Sequence, residues 1–225
     1  MLLAIDTATR LASIALYDET GIWAEESWRS RNNHSVEVMP AIDNMLERQR
    51  FDYADLTGVA VPLGPGSFTG LRIGMALAKG ICLGRDIPLV AVPTLQVMAY
   101  AAGNPDMPVM AVVEAGRGRI SVATFVYEDG LPLPQGEMAL VESALWEPDL
   151  SAAVLLTGEI DAALTERLLA LPEGHNLTIT SPAASLRRAG FLAELAWHRL
   201  QRNDVDDLDT LSPIYMQTVP GSPGP

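Results

Sequence analysis

Apolar residues come first in short bursts. LLAID at 2–6 reads as a buried strand, and after a polar turn at Thr9 and Arg10 the small and apolar stretch 11–17 predicts the second arm of a hairpin. A third strand is expected over 22–28, where Ile22, Ala24, Glu26 and Trp28 share one face and Trp23, Glu25 and Ser27 the other. Over 35–48 the spacing changes: Val38, Met39, Ile42, Met45 and Leu46 recur at three and four, the period of a helix face, with Pro40 inside as a candidate kink. A strand at 57–63, the loop GPGSFTG at 64–70 and a helix over 71–84 follow. Apolar and small residues run round most of that helix, so it is expected to be covered on more than one side. Its Gly74 and Ala78 are four apart, a face that either admits another helix backbone or packs inside the core.

A strand at 89–92, a helix opened by Pro93 and Thr94 and a strand at 109–114 complete an alternation typical of α/β folds. Residues 120–127 alternate up to the turn signal Asp129-Gly130, and the Pro-rich LPLPQG beyond it is expected to break regular structure. Short strands are expected at 154–156 and 177–179, with helices near 160–170 and 184–202. GNPDMP at 103–108 marks a boundary, which divides the chain into a first lobe over 1–104, a second over 105–212 and a tail over 213–225 whose PGSPGP end is expected to be disordered.

The chain has 225 residues, 48% of them hydrophobic and 19% charged, the make-up of a globular protein. At this length folding buries roughly 70% of the unfolded surface, enough for a self-supporting core. Fifteen Lys and Arg face 28 Asp and Glu, a formal charge of −13 that repels phosphate backbones and argues against stand-alone binding of nucleic acid. The lone Cys82, between Ile81 and Leu83, reads as a packed thiol. MLLAID lacks the basic start of a secretory signal, and no uncharged apolar run is long enough to span a bilayer, so a cytoplasmic protein without membrane contact is expected.

The glycine loop is the most conspicuous local feature. Gly64, Pro65 and Gly66 force a tight path, Ser67 or Thr69 can cap the next helix, and Gly70 follows. Such a helix start presents N–H groups that can hold an anion, but the spacing matches neither a P-loop, nor a dinucleotide loop, nor a nucleophile elbow, and a structural role is the favoured reading. Asp6, with Thr7 and Thr9 beside it, could meet a metal-bound phosphate or simply form a turn. His34, His175 and His198 lack the separation of a helical metal site, and His34 reads as a packing or capping residue. Lys79 could pair with a phosphate or a partner carboxylate, or snorkel at the helix edge. No catalytic constellation emerges.

Five segments in order, IDTATRLASIAL, HSVEVMPAIDNML at 34–46, GPGSFTGLRIG at 64–74 with AKG, VPTLQVMA at 92–99 and PIYM at 213–216, resemble the bacterial TsaB (YeaZ) family over nearly the whole chain. The resemblance implies an actin-like (ASKHA) α/β fold of two lobes with mixed sheets, the second reduced. It further implies a non-catalytic scaffold subunit of tRNA threonylcarbamoyladenosine modification, which pairs through helices of its first lobe with the catalytic paralogue TsaD and helps recruit the ATPase TsaE. ATP and metal are then expected on the partners and none in this chain, tRNA is reached only through the complex, and a homodimer is expected when the chain is alone. On this reading the interface residues are Val38, Met39, Ile42, Met45 and Leu46 on one helix and Leu71, Arg72, Met75, Ala78 and Lys79 on the other, with Asp6 and Thr7 as weak nucleotide candidates. The chain departs from the family pattern at Glu114-Ala115-Gly116, where Asp-Ala-Arg is usual, and at Ala8, Ser121 and Gln217. The competing expectation, from Asp6-Thr7 and the glycine loop, is an actin-like ATPase or kinase acting alone; a peptidase has no visible residue set.

Overall fold

A computed structural model describes residues 1–31 and 33–216. The described residues form an α/β fold built on two five-stranded mixed sheets. In the first, β1 (Leu2–Asp6) and β2 (Leu11–Asp18) form the expected hairpin, β3 (Gly21–Arg29) extends it, and β4 (Gly58–Gly64) and β5 (Leu89–Pro93) run parallel to β1, in the order β3-β2-β1-β4-β5. Helices α1 (His34–Gln49) and α2 (Phe68–Arg85) cover one face, where Leu3, Ile5, Val59 and Val61 meet Val38, Ile42, Met75 and Ala78. Helix α1 continues through Pro40. α2 starts at Phe68, earlier than the expected residue 71, because Ser67 caps it: its Oγ accepts from the Gly70 N–H at 3.2 Å.

The alternation read into β3 holds only in part. The register with β2 shifts between Leu16 and Tyr17, so Ile22 pairs with Tyr17 while Ala24 pairs with Leu16. Such a bulge turns successive side chains to the other face, and Ile22 lies against Gly190 on the side opposite α1.

The second sheet, in the order β10-β9-β6-β7-β8, contains β6 (Val109–Gly116), β7 (Arg119–Glu128), β8 (Leu131–Glu142), β9 (Val154–Gly158) and β10 (Leu177–Ile179). LPLPQG does not break regular structure; it is the first half of β8, with Pro132 opposite Tyr127 and Pro134 opposite Phe125. Strand β8 is at the sheet edge, where a residue without an N–H forfeits no ladder bond. One face of this sheet carries α4 (Ala162–Leu169).

Two helices fill the space between the sheets. Helix α3 (Thr94–Ala101) places Val97 against the first sheet and Leu95, Met98 and Ala99 against Val109, Val113 and Phe125 of the second. α5 (Ala189–Gln201), inside the stretch read as the second lobe, returns to the first sheet, where Leu192, Ala193 and Ala196 pack on Leu2, Ala4 and Val90. The segment after it stays there: Asp206 accepts from the Ala91 N–H, and Ile214 donates to the Leu63 carbonyl. The PGSPGP end and Gln217 lie outside the described residues.

Candidate functional site

The turn after β1 opens onto a cleft of about 1220 Å³ between the lobes, lined by Thr9, Pro65, Gly66 and Ser67 from the first and by β6, β7 and the segment after β9 from the second. Asp6 does not reach this cleft as a free carboxylate. Arg187, immediately before α5 and 2% exposed, donates from Nε to Asp6 Oδ2 at 2.6 Å and from Nη2 to Asp6 Oδ1 and Thr9 Oγ1, both at 3.1 Å. Asp6 Oδ1 also accepts from the Ala8 N–H at 2.9 Å, the tight turn that the sequence allowed. Burial disfavours the charge on Arg187, but Asp6 and, 3.9 Å from Nη1, Glu159 offset it and hold its pKa above the ordinary arginine value. Sequence reasoning missed Arg187, since nothing in SLRRAG separates a buried arginine from the exposed Arg188 beside it.

Thr7 is likewise occupied internally: its hydroxyl donates to the Gly70 carbonyl at 2.8 Å. The glycines of the loop explain themselves through the same turn. A Cβ on Gly66 would collide with the Ala8 carbonyl, one on Gly70 with the Thr7 carbonyl, one on Gly74 with the Thr7 hydroxyl, and one on Gly64 with the Ile214 carbonyl. Ser67 also donates its backbone N–H to Ala8 O at 2.6 Å. GPGSFTGLRIG is therefore the seam along which α2 closes on the β1 turn, and Gly74 serves the core. Thr69 is exposed and caps nothing.

Most of the residues expected at a partner surface face inward, Arg72 being exposed and Lys79 half-buried. Val38, Ile42, Met45, Leu46, Leu71, Met75 and Ala78 are buried against the sheet and Met39 is half-buried, because the same period that marks an amphipathic face marks its core side. Lys79 donates to the Leu211 carbonyl at 2.8 Å, and Arg72 donates to the Tyr215 hydroxyl at 2.8 Å while its guanidinium lies over the Phe68 ring. The outward side of the pair is different. Ala76, Gly80 and Gly84 are exposed at intervals of four along α2, with open space over both glycines, and Leu83 on the same helix is 68% exposed; on α1, Val36 is 67% exposed. Four-residue spacing sets the three small residues on one line. The excess of small and apolar residues around α2 was the readable signal of this second face.

His34 is buried at the start of α1, as expected of a packing residue. Burial pushes the Cys82 thiol up to about 12, as suits a packed cysteine. Among the described residues no group of three or more His, Cys, Asp or Glu is placed to hold a metal ion.

The family model described as tRNA N6-adenosine threonylcarbamoyltransferase, TsaD, matches residues 20–131. The tRNA threonylcarbamoyladenosine biosynthesis protein TsaB of Bacillus subtilis (strain 168) is 30% identical over 219 residues, which cover 96% of this chain and 93% of that protein. Among solved structures, YeaZ from Pseudomonas aeruginosa superposes with a TM-score of 0.77 at 21% identity, over 96% of this chain and 99% of that one. Component A of the Acidaminococcus fermentans (R)-2-hydroxyglutaryl-CoA dehydratase does so with a TM-score of 0.52 at 15% identity, over 89% and 98%. These two likenesses concern the fold, the two-lobed actin-like arrangement. The identity to the Bacillus protein, carried over nearly the full length of both chains, places the chain in the TsaB family.

Proposed function

We propose that the chain serves tRNA threonylcarbamoyladenosine biosynthesis as a non-catalytic subunit. The observation that carries this reading is the Asp6–Arg187 pair: the carboxylate that ends β1 is held from two sides by a buried guanidinium and a backbone N–H, so it is not free to hold a metal-bound phosphate. A stand-alone ATPase or kinase has no observation of equal weight in its favour.

On this reading the activity resides in TsaD, with ATP and metal on the partners, and the outward face of α1 and α2 docks there. Support comes from that face itself, a line of small residues with an exposed aliphatic side chain on each helix. The match of the TsaD family model to residues 20–131, which include both helices, adds that the two proteins are built alike there. Like surfaces suit a pseudo-twofold pair, and a second copy of this chain can take the paralogue's place in a homodimer. TsaE joins the assembly, and tRNA is reached through it, in keeping with a chain of charge −13. Among the described residues no helix is long and apolar enough to cross a membrane, and a cytoplasmic place goes with this role.

The test is genetic. Removing the gene from its source cell is expected to abolish threonylcarbamoyladenosine in tRNA hydrolysates measured by mass spectrometry, and the wild-type gene to restore it. An unchanged level overturns the role in the pathway. ATP hydrolysis by the purified chain alone overturns its non-catalytic character.

A further inference from the structure

The two sheets have four edges between them, and three are guarded. An edge strand exposes a row of unpaired N–H and C=O groups, which proteins ordinarily shorten, interrupt with proline or cover. At β5 the segment after α5 lies along the edge: the Asp206 N–H donates to the Leu89 carbonyl at 2.9 Å, and its carboxylate accepts from the Ala91 N–H at 2.8 Å. Strand β8 carries Pro132 and Pro134, and β10 is three residues long. Strand β3 has none of these devices. It is nine residues long, contains neither proline nor lysine, and has β2 as its one strand neighbour.

The register tells which groups lie on the open side. Ser30 donates its backbone N–H to the Arg10 carbonyl at 2.9 Å, and the same pairing runs on through Ala12 with Trp28 and Ile14 with Glu26. Bonded pairs alternate in an antiparallel ladder, so Trp28 and Glu26 turn their main-chain groups to β2, while Glu25, Ser27 and Arg29 turn theirs outward. Among the described residues no backbone bond engages those outward groups.

A strand added here would place its side chains alternately on two faces. Toward α5 the acid is already satisfied, since Glu25 accepts from Arg188 Nε at 2.7 Å and from the Gly190 N–H at 2.6 Å. Toward α1 lies a groove of about 480 Å³ walled by Trp28, Pro40 and Ala41 and carrying Glu26, Glu37 and Glu47. Arg48 pairs with Glu26 at 2.9 Å, but among the described residues Glu37 and Glu47 have no ion-pair partner. Carboxylates beside an indole and an apolar wall suit a long cationic side chain, whose stem lies on the wall while its head meets the acids. The same acidity, in a chain of net charge −13, disfavours a second copy of this strand.

We propose that the open edge of β3 takes up an extended basic segment of a partner protein as an added strand, with lysine or arginine at alternate positions entering the groove beside α1. Main-chain bonds to Glu25, Ser27 and Arg29 hold the segment, and the groove selects its side chains. Positions opposite Glu26 and Trp28 share the α1 face, so the recognised pattern is a cation, any residue, and a second cation. The inference does not rest on the scaffold role and is tested on this chain alone.

The probe is a fluorescein-labelled, end-capped seven-residue peptide in which lysine alternates with threonine, followed by fluorescence anisotropy at physiological salt. Saturable binding is expected, weakened about fivefold by Glu37→Gln combined with Glu47→Gln, and about tenfold or more when the peptide's outward-bonding amides are N-methylated. Arg29 is exposed and its N–H faces outward, so Arg29→Pro removes a ladder donor from the open side and is expected to weaken binding, whereas Arg29→Gln binds at least as tightly as wild type. Thermal melts report whether each variant is folded, and the N-methylated peptide keeps the test open if Arg29→Pro is not. Absence of saturable binding, equal binding of the N-methylated peptide, or equal binding by the double glutamine variant overturns the proposal. A dimer of this chain that persists in Ala76→Glu and is lost in folded Arg29→Pro would assign the edge to a second copy and overturn it as well.

Discussion

Nε of Arg187 lies 2.6 Å from Oδ2 of Asp6, and this contact joins the start of α5 to the end of β1 across 181 residues of sequence, with both side chains out of solvent. Desolvation makes such a pair a weak source of net stability but a costly one to break, because the surviving partner keeps a buried, uncompensated charge. Asp6→Ala is therefore expected to lose about 3–5 kcal/mol in urea unfolding, and Asp6→Ala combined with Arg187→Met to recover much of that loss. Additive losses in the double variant would show that the two side chains are not coupled.

Glycines of α2 divide into two kinds. A Cβ on Gly70 meets the Thr7 carbonyl, which cannot move without dislodging the β1 turn, whereas one on Gly80 or Gly84 meets nothing within 4 Å. Gly70→Ala is expected to destabilise by about 2 kcal/mol or more. Gly80→Ala in the isolated monomer is expected to stabilise by about 0.5–1 kcal/mol, since alanine restricts the unfolded chain and favours helix. Thermal or urea melts of the two variants check the opposite signs.

Charge placed on the two sides of α2 should also part ways. Met75 and Ala78 are buried in the chain's own core, so Met75→Glu or Ala78→Glu is expected to unfold the protein before any question of assembly arises. Ala76 is exposed. Ala76→Glu is expected to leave the melt of the monomer within about 0.5 kcal/mol of wild type and to abolish association. A folded, associating Ala76→Glu variant would remove this face from consideration.

Alkaline pH should weaken the fold in a defined direction. Burial raises the Cys82 thiol from 9.0 to about 12, and Tyr100 and Tyr127 from 10.0 to about 12, with burial the leading cause in each. The native state therefore keeps protons that the unfolded chain releases. Stability from these groups is full below pH 9.0 and is lost as pH rises through the interval up to about 12. Cys82→Ala is expected to flatten the decline, measured as urea midpoints at rising pH. Its thiol in the wild-type protein should stay unreactive to alkylation at pH 8 until unfolding, because burial keeps it protonated and covered.

Much of this was legible in the sequence, for physical reasons that also explain the failures. Periodicity located β1, β2, α1 and α2 because each buries one regular face, and it placed Val38, Ile42 and Met75 on such a face. It could not say whether that face met the chain's own sheet or another molecule. The outward line of Ala76, Gly80 and Gly84 is legible only as an excess of small residues around α2, which does not by itself say which side of the helix is open. LPLPQG misled because proline argues against a strand only where the N–H is needed, and position at a sheet edge is a fact of topology. The return of α5 to the first sheet and the burial of Arg187 depend on contacts more than a hundred residues apart, which local pattern does not encode. The tight path of the glycine loop is legible in its residues, but the approach of Thr7 and Ala8 that excludes a Cβ at Gly66 and Gly70 is visible only in three dimensions.

Docking through the outward face of α1 and α2 is the central claim about this chain's role. The direct measurement is the mass, by light scattering after size exclusion, of the purified chain mixed with TsaD from the same organism, with each protein run alone and with Ala76→Glu in place of wild type. A heterodimer formed by the wild-type chain and lost in the folded Ala76→Glu variant is the expected result. Wild-type chain and TsaD eluting as separate species, or a heterodimer that persists with Ala76→Glu, would contradict it.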